Sequence, residues 1–522
     1  MLSPSSLLSI VALARSGSLD LAWRRLEALQ APPDDPAVLT IRGRLLKDRA
    51  LAAAGDARRV LYGQAAEAYA RAGEIQGNAT YPFINAATLS LLAGDRAAAA
   101  RRAQRVLDLI DRGEDGPETP YWREATQAEA LLLLGRAAET RASFAAAIAQ
   151  ASEAWEDHAS TLRQFRLIHE ALGEDASWLD AHRPPRTLHF GGHMALAADT
   201  ADLAAEVTAV LAAERVGFGY GALAAGADIV VAEALLARGA ELHLVLPAPP
   251  DAFRVASVEP IGGDWAARSD AVLARAETVR VAGSRGGGAA ANQLATEVAM
   301  GCAVMQARML ETEAVQLIVL DDGSQDEGEP GSSAWMGAAW RSAGRRGRVL
   351  TSPRASAGAG SSAGGEGRLV AQVEVRLGAL SPASAAALAS AAGAGLLGRP
   401  QWRADGLSLV FAEAGSAALA MVGLARVGGE AGVRIAGAYG VVEAFDDPFG
   451  GGDAVLCGGA VGLAERILAS TPPGAVHVSA DFACALAASP AAAQAHTEHV
   501  GELPGDDPQS AAPIHALRPR PA

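Results

Sequence analysis

Between Val216 and Pro247 the chain reads VGFGYGALAAGADIVVAEALLARGAELHLVLP. A short aromatic and β-branched run is followed by a loop of glycine and alanine, an apolar helical segment, and a second strand-like run. Two strands joined through one helix in so few residues have to lie parallel, and a parallel pair has to be covered by helices on its faces. This stretch therefore commits the middle of the chain to a layered α/β sheet.

The surrounding sequence extends that unit. Further strands are expected at TLHFGG, TVRVAG, VQLIVLDDG and RVLTS, most of them separated by helix-length segments, which gives an α/β, Rossmann-like doubly wound parallel sheet over residues 186–352. Residues 1–180 follow a different pattern. Amphipathic helical segments such as SLDLAWRRLEAL, YGQAAEAYARAG and NAATLSLLAGDRAAAARRAQRVLDLI succeed one another, several punctuated by Gly73, Gly94 or Gly135, with no strand-like alternation. After the sheet, PRASAGAGSSAGGE at 353–366 reads as a Gly/Ser/Ala linker. Residues 367–500 place strands next to one another, at LVAQVEVRL, DGLSLVFAE, GVRIAGAYGVVEAF and GAVHVSADF, as in an α+β domain with an antiparallel portion. The tail, 501–522, is expected to be flexible. The fold class is thus multi-domain: all-α, then α/β, then α+β.

Composition narrows the function. A chain of 522 residues with a net charge of −15 and no dense basic run is a poor partner for nucleic acid. No apolar run reaches the length of a membrane span, and the first residues lack the order of a signal peptide, so a cytoplasmic protein is expected. The single lysine, Lys47, excludes a phosphate loop built on lysine anywhere beyond the N-terminal third. Cys302, Cys457 and Cys484 are few and far apart, as buried small hydrophobes would be.

Ligands of a doubly wound sheet bind beyond the carboxyl ends of its strands, where main-chain N–H groups at a helix start can approach a phosphate. Gly221 and Gly226 would provide the permissive backbone, with Asp228 and Glu233 as polar handles; Gly331, Ser332 and Ser333 open a later helix and could hold a second phosphate. Equally, the glycines could serve only close helix–sheet packing, and Asp228 could simply cap its helix.

Three resemblances sharpen these readings. The helical segments, and YPFINAATLSLLAGD in particular, resemble degenerate tetratricopeptide repeats of the TRAFs-binding type, although a plain helical bundle would fit the same periodicity; the resemblance implies a protein partner. HFGGHM followed by FGYGALAAGADIVVAEALLARGAELHLVLP resembles the SLOG superfamily, which includes the Lonely Guy phosphoribohydrolases. It implies a nucleotide-derived ligand facing Gly192, His193, Gly221, Gly226, Asp228 and Glu233. The hydrolase signature PGGxGT is absent, which favours binding over ribose cleavage. His193 could instead be a hydrogen-bonded structural residue.

Residues 403–411, RADGLSLVF, and the segment GGAVGLAERILASTPPGAVHVSADFACAL from Gly458 resemble the class III nucleotide cyclase homology domain. The resemblance implies a dimer, and places Asp405 at a metal position and Arg466 at the residue that stabilises the transferring phosphorus. Only Glu374 stands near the other metal position, with its spacing to Gly378 one residue too long. Gly462 replaces the asparagine that orients ribose, and no lysine exists to select the purine. Mg²⁺ or Mn²⁺ would be required for any activity that remains. The expectation is a cytosolic signalling protein: a repeat region that binds a protein partner, a sensor of a nucleotide-derived ligand, and a catalytically impaired cyclase-like dimerisation domain. The alternatives are an active adenylate or guanylate cyclase, alone or with an intact partner, and an inert scaffold.

Overall fold

The computed structural model describes residues 4–16, 18–29, 31–32, 34–77, 79–114, 116, 118–196, 200–282, 287–321, 328–355, 367–377, 390, 395–403, 405–428, 432–446, 455–504 and 511–520. They divide into two compact units, one of residues 1–184 with 309–311 and the other of 185–308 with 312–522.

The first unit is built of helices and turns, with no strand among its described residues. Helices α1 (Pro4–Arg15), α2 (Leu19–Glu27), α3 (Pro36–Ala52), α4 (Gly55–Gln76), α5 (Thr80–Leu92), α6 (Arg96–Asp111), α7 (Pro120–Leu133), α8 (Ala137–Gln150) and α9 (Trp155–Leu172) pack largely against their sequence neighbours. Gly94 and Gly135 end α5 and α7 with φ of 93° and 72°, and Asp95 then caps α6 by accepting the Ala98 N–H at 2.8 Å. Gly73 does not punctuate a helix. It lies inside α4, where a Cβ would come within 3.0 Å of the Phe83 ring, just as Gly43 in α3 makes room for Tyr69 at 2.7 Å. Each glycine is the hole that takes an aromatic knob from the next helix, which is how such short helices bury rings as large as these.

In the second unit, six strands form a wholly parallel sheet: β1 (Arg186–Gly192), β2 (Val216–Gly221), β3 (Glu241–Leu246), β4 (Thr278–Val281), β5 (Ala314–Leu320) and β6 (Gly347–Thr351). Their order is β4-β3-β2-β1-β5-β6, so the winding reverses between β1 and β5. Helices α10 (Ala201–Ala213), α11 (Ala227–Ala237), α12 (Pro250–Ser257), α13 (Trp265–Leu273), α14 (Ala289–Met309) and α15 (Ser333–Ser342) make the crossovers.

The C-terminal strands are β7 (Arg368–Arg376), β8 (Gln401–Arg403), β9 (Gly406–Phe411), β10 (Arg434–Phe445), β11 (Val455–Cys457), β12 (Val476–Ser479), β13 (Ala495–Leu503) and β14 (Ala512–Pro519). The main path runs β13-β14-β12-β10-β7-β9-β8, antiparallel except for β10 against β12. Helices α16 (Ala414–Gly428), α17 (Gly459–Ser470) and α18 (Ala480–Ala488) cover it. The tail expected to be flexible is a correction: β14 lies inside the sheet, zipped to β12 and β13, and buries Ile514, Ala516 and Leu517. The alternation PIHAL, short and interrupted by prolines, hid a strand that only its neighbours stabilise. Of the linker, 356–366 lie outside the described residues; Arg354 and Ala355 bond back to Leu196 and Ala195.

The two sheets are not separate bodies. Leu294, Ala295, Val298 and Ala299 of α14 belong to the same apolar core as Val373, Leu409, Met421, Ile435 and Phe482 of the C-terminal region. Among the described residues, no helix is long and apolar enough to cross a membrane.

Candidate functional site

At the reversal between β1 and β5, where a doubly wound sheet opens its crevice, lies a cavity of about 290 Å³. Besides Val245 and Pro247 at the end of β3, Phe253 and Ser257 of α12, and Arg354, its walls come from four segments. The end of β1 contributes His189 to Gly192, followed by His193; the turn before α11 contributes Ala222 and Ala224, with Asp228 from the first turn of that helix. The start of α15 supplies Gly331, Ser332 and Ser333, and α14 supplies Asn292, Ala295, Thr296 and Ala299.

Asp228 is buried, and its Oδ2 accepts the Ala224 N–H at 3.1 Å. It therefore braces the loop rather than capping the helix. Loss of hydration raises its carboxyl to about 7, against the opposing pull of main-chain donors at Ala224 and Gly192. His189, buried on Trp340 and 3.1 Å from the Gln316 amide nitrogen, is pushed down to about 3 by burial and stays neutral. The His193 ring spans two carbonyl oxygens, Met194 at 3.0 Å and Ser352 at 2.8 Å, so it ties the exit of β1 to the end of β6. Ser332 caps α15 through the Trp335 N–H at 3.3 Å, and Arg354 reaches the cavity with its guanidinium 3.9 Å from Asp321.

Gly192, His193, Asp228, Gly331, Ser332 and Ser333 are thus brought together. Gly221, Gly226 and Glu233 lie outside the lining. A Cβ on Gly221 would come within 2.7 Å of the Phe190 ring and carbonyl oxygen; Gly226 has φ 134°, and a Cβ there would lie 2.8 Å from the His193 carbonyl oxygen. Those two glycines let the loop lie flat on β1. Glu233 points away, paired with Arg268 at 2.6 Å. Asn292, Thr296 and Arg354 went unnoticed in the sequence because α14 and the segment after β6 carry no motif and meet the cavity only through the winding of the sheet.

The residues singled out by the cyclase resemblance have other partners. Asp405 meets the Arg376 guanidinium at 3.0 Å. Glu374 is buried, and its Oε1 accepts the Gln372 amide and the Ser408 hydroxyl, each at 2.7 Å. Arg466 donates to the Pro504 carbonyl at 3.0 Å. Gly462 has open space where a Cβ would stand. On the same sheet, Arg368, Arg399, Arg403, Gln372 and Ser408 line a cavity of about 640 Å³. Among the described residues no group of three or more His, Cys, Asp or Glu is placed to hold a metal ion.

In the helical unit, a groove of about 470 Å³ runs between α5, α7 and α9. Tyr81 and Trp122 line it while 56% and 37% exposed. Glu118 and Glu129 line the same space, and among the described residues no Lys or Arg does. Burial raises the Glu129 carboxyl, opposed by hydrogen bonds from Thr88 at 2.6 Å and Gln164 at 2.9 Å.

Residues 6–90 match the family model of the Tetratricopeptide Repeats-Sensor, TPR-S. The helical region thus carries tetratricopeptide-like repeats. No curated protein matches the chain. Solved structures with local likeness include the adenylyl cyclase CyaB from P. aeruginosa, at 13% identity over 29% of this chain and 95% of that one, with a TM-score of 0.22. The dimeric guanylyl cyclase domain of the RhoGC fusion protein from Blastocladiella emersonii matches at 13% over 30% and 98%, TM-score 0.23. The guanylate cyclase domain of RhGC from Catenaria anguillulae, in complex with GTP, matches at 14% over 30% and 98%, TM-score 0.23.

Proposed function

We propose that this protein is a signalling sensor that binds a nucleotide-derived ligand in the cavity at the β1/β5 reversal. The observation that carries this is the convergence of Gly192, Asp228, Gly331, Ser332 and Ser333, from three separate segments, at the carboxyl ends of a parallel sheet. The start of α15 offers main-chain N–H groups and the positive end of a helix to a phosphate, with Arg354 as counter-charge. A carboxyl near neutrality, such as Asp228, can either donate to or accept from a ribose hydroxyl. The cavity is at the small end for ligand sites, which suits a mononucleotide better than a dinucleotide.

The wall of that cavity formed by α14 is also part of the C-terminal core, which gives a bound ligand a direct mechanical route to the cyclase-like region. That region serves as a catalytically impaired, dimerising output. Two-ion chemistry requires free carboxylates aimed at one point. Here Asp405 carries a guanidinium and Glu374 is saturated by neutral donors, so the donor set does not fit Mg²⁺ or Mn²⁺. The helical groove would receive a basic peptide, its exposed Tyr81 and Trp122 rings suiting Arg or Lys side chains.

The test is calorimetric titration of the full chain with AMP, GMP, NAD and ribose 5-phosphate. At least one nucleotide should bind the wild type, and Arg354→Ala should weaken it at least tenfold. No binding by any of the four, or equal affinity in the variant, would sink the assignment. Incubation with ATP or GTP and Mn²⁺ should give no cyclic nucleotide; product that disappears in Asp405→Ala would make the chain a cyclase instead.

A further inference from the structure

Helix α14 meets α18 at an unusually close crossing. Any side chain at Gly301 would collide with the Cys484 main chain, and immediately beside this contact the Sγ atoms of Cys302 and Cys484 lie 3.6 Å apart. The Arg280 guanidinium stands over the pair, 3.9 Å from the Cys302 Sγ and ion-paired with Asp481 of α18. Cys484 is buried, whereas Cys302 retains partial access to solvent. Among the described residues, these are two thiols from distant parts of the chain, 182 positions apart, in van der Waals contact at the crossing that joins the two sheets.

From this geometry we infer that Cys302 and Cys484 form a peroxide-responsive thiol pair that closes to a disulfide and locks α14 onto α18. The reaction balances without a cofactor. Cys302 sulfur attacks one oxygen of hydrogen peroxide, the O–O bond breaks, the departing hydroxide takes the thiol proton as water, and a sulfenic acid remains. Cys484 sulfur then attacks that sulfur; its proton leaves with the hydroxyl as a second water, and the S–S bond forms. Two electrons pass from the thiols to the peroxide. The order follows from access and environment: the hydrogen bond from Cys484, and then the charge of Arg280, lower the Cys302 thiol below its ordinary range against the opposing effect of burial, while the same contact and burial push Cys484 up. Closing from contact to bond length, about 2.05 Å, asks for side-chain rotation across helices that already touch. Because α14 lines the cavity with Asn292, Ala295, Thr296 and Ala299, the bond would join that wall covalently to the C-terminal region. The inference stands whether or not a nucleotide occupies the cavity.

The experiment treats the full chain with stoichiometric hydrogen peroxide, alkylates the remaining thiols and maps non-reduced peptides by mass spectrometry. A cross-linked peptide joining Cys302 to Cys484, about 2 Da lighter than its two thiol peptides together and released by dithiothreitol, is expected within the monomer. In Cys484→Ser, Cys302 should stop at a sulfenic acid trapped by dimedone; in Cys457→Ser, the cross-link should persist. If all three cysteines remain alkylatable after peroxide, or oxidation is confined to Cys457, the inference is overturned. The wild-type map decides this even if a variant fails to fold.

Discussion

Asp228 shows how one buried group couples chemistry to pH. Its carboxyl is raised from an ordinary value near 4 to about 7 by burial, and Glu297 on α14 is raised to about 7 in the same way. A carboxyl whose folded value lies above its unfolded one holds more protons when folded. Its stabilising contribution is therefore complete below pH 4 and is lost as the pH rises through about 7. Thermal melts should fall in midpoint between pH 5 and pH 8, and Asp228→Asn should flatten that dependence; an unchanged slope would place the titration elsewhere. The same proton governs an anionic ligand. AMP should bind more weakly at pH 8 than at pH 6, because ionised Asp228 would add a negative charge to the cavity that holds the anion and could no longer donate to the ribose.

At the scale of elements, the glycines do different work from what their positions in the sequence suggest. Gly73 looks like helix punctuation but, like Gly43, is a socket, the two taking Phe83 and Tyr69. Gly43→Ala should therefore destabilise the helical unit by about 1–3 kcal/mol, since the buried Tyr69 ring has nowhere to move; a two-transition denaturation curve would report it in one transition alone. Trp122→Ala in the groove of α5, α7 and α9 should leave the melting midpoint nearly unchanged and weaken binding of an arginine-rich peptide. Unchanged affinity would remove the groove from the partner surface. Gly221 and Gly226 likewise allow the loop to lie against β1, and it is Asp228, on the helix they introduce, that reaches the cavity.

For the second unit as a whole, the shared core at α14 is the decisive feature. Gly301→Ala should cost more than Gly43→Ala, because the obstacle is the main chain of α18 rather than a side chain. If the cavity communicates with the C-terminal region, saturating AMP should slow amide exchange in α18 and β7 as well as around Asp228. Protection confined to the cavity would leave the two sheets energetically independent.

Much was legible in the amino-acid order: the helical character of the first 180 residues and the six strands of the parallel sheet, because hydrophobic period and small-residue loops are local signals that each segment carries alone. It also contained the residues of the cavity at β1, α11 and α15, since glycine and serine at helix starts have a recognisable chemistry. The remaining features are set by contacts between segments far apart in the chain. Whether Gly221 faces a ligand or Phe190, whether Asp405 is free or held by Arg376, whether PIHAL is tail or strand, and whether Cys302 meets Cys484 all depend on partners distant in the chain. Those choices are settled by burial and by the pairing of charges and thiols across elements, and no local pattern encodes which distant partner arrives.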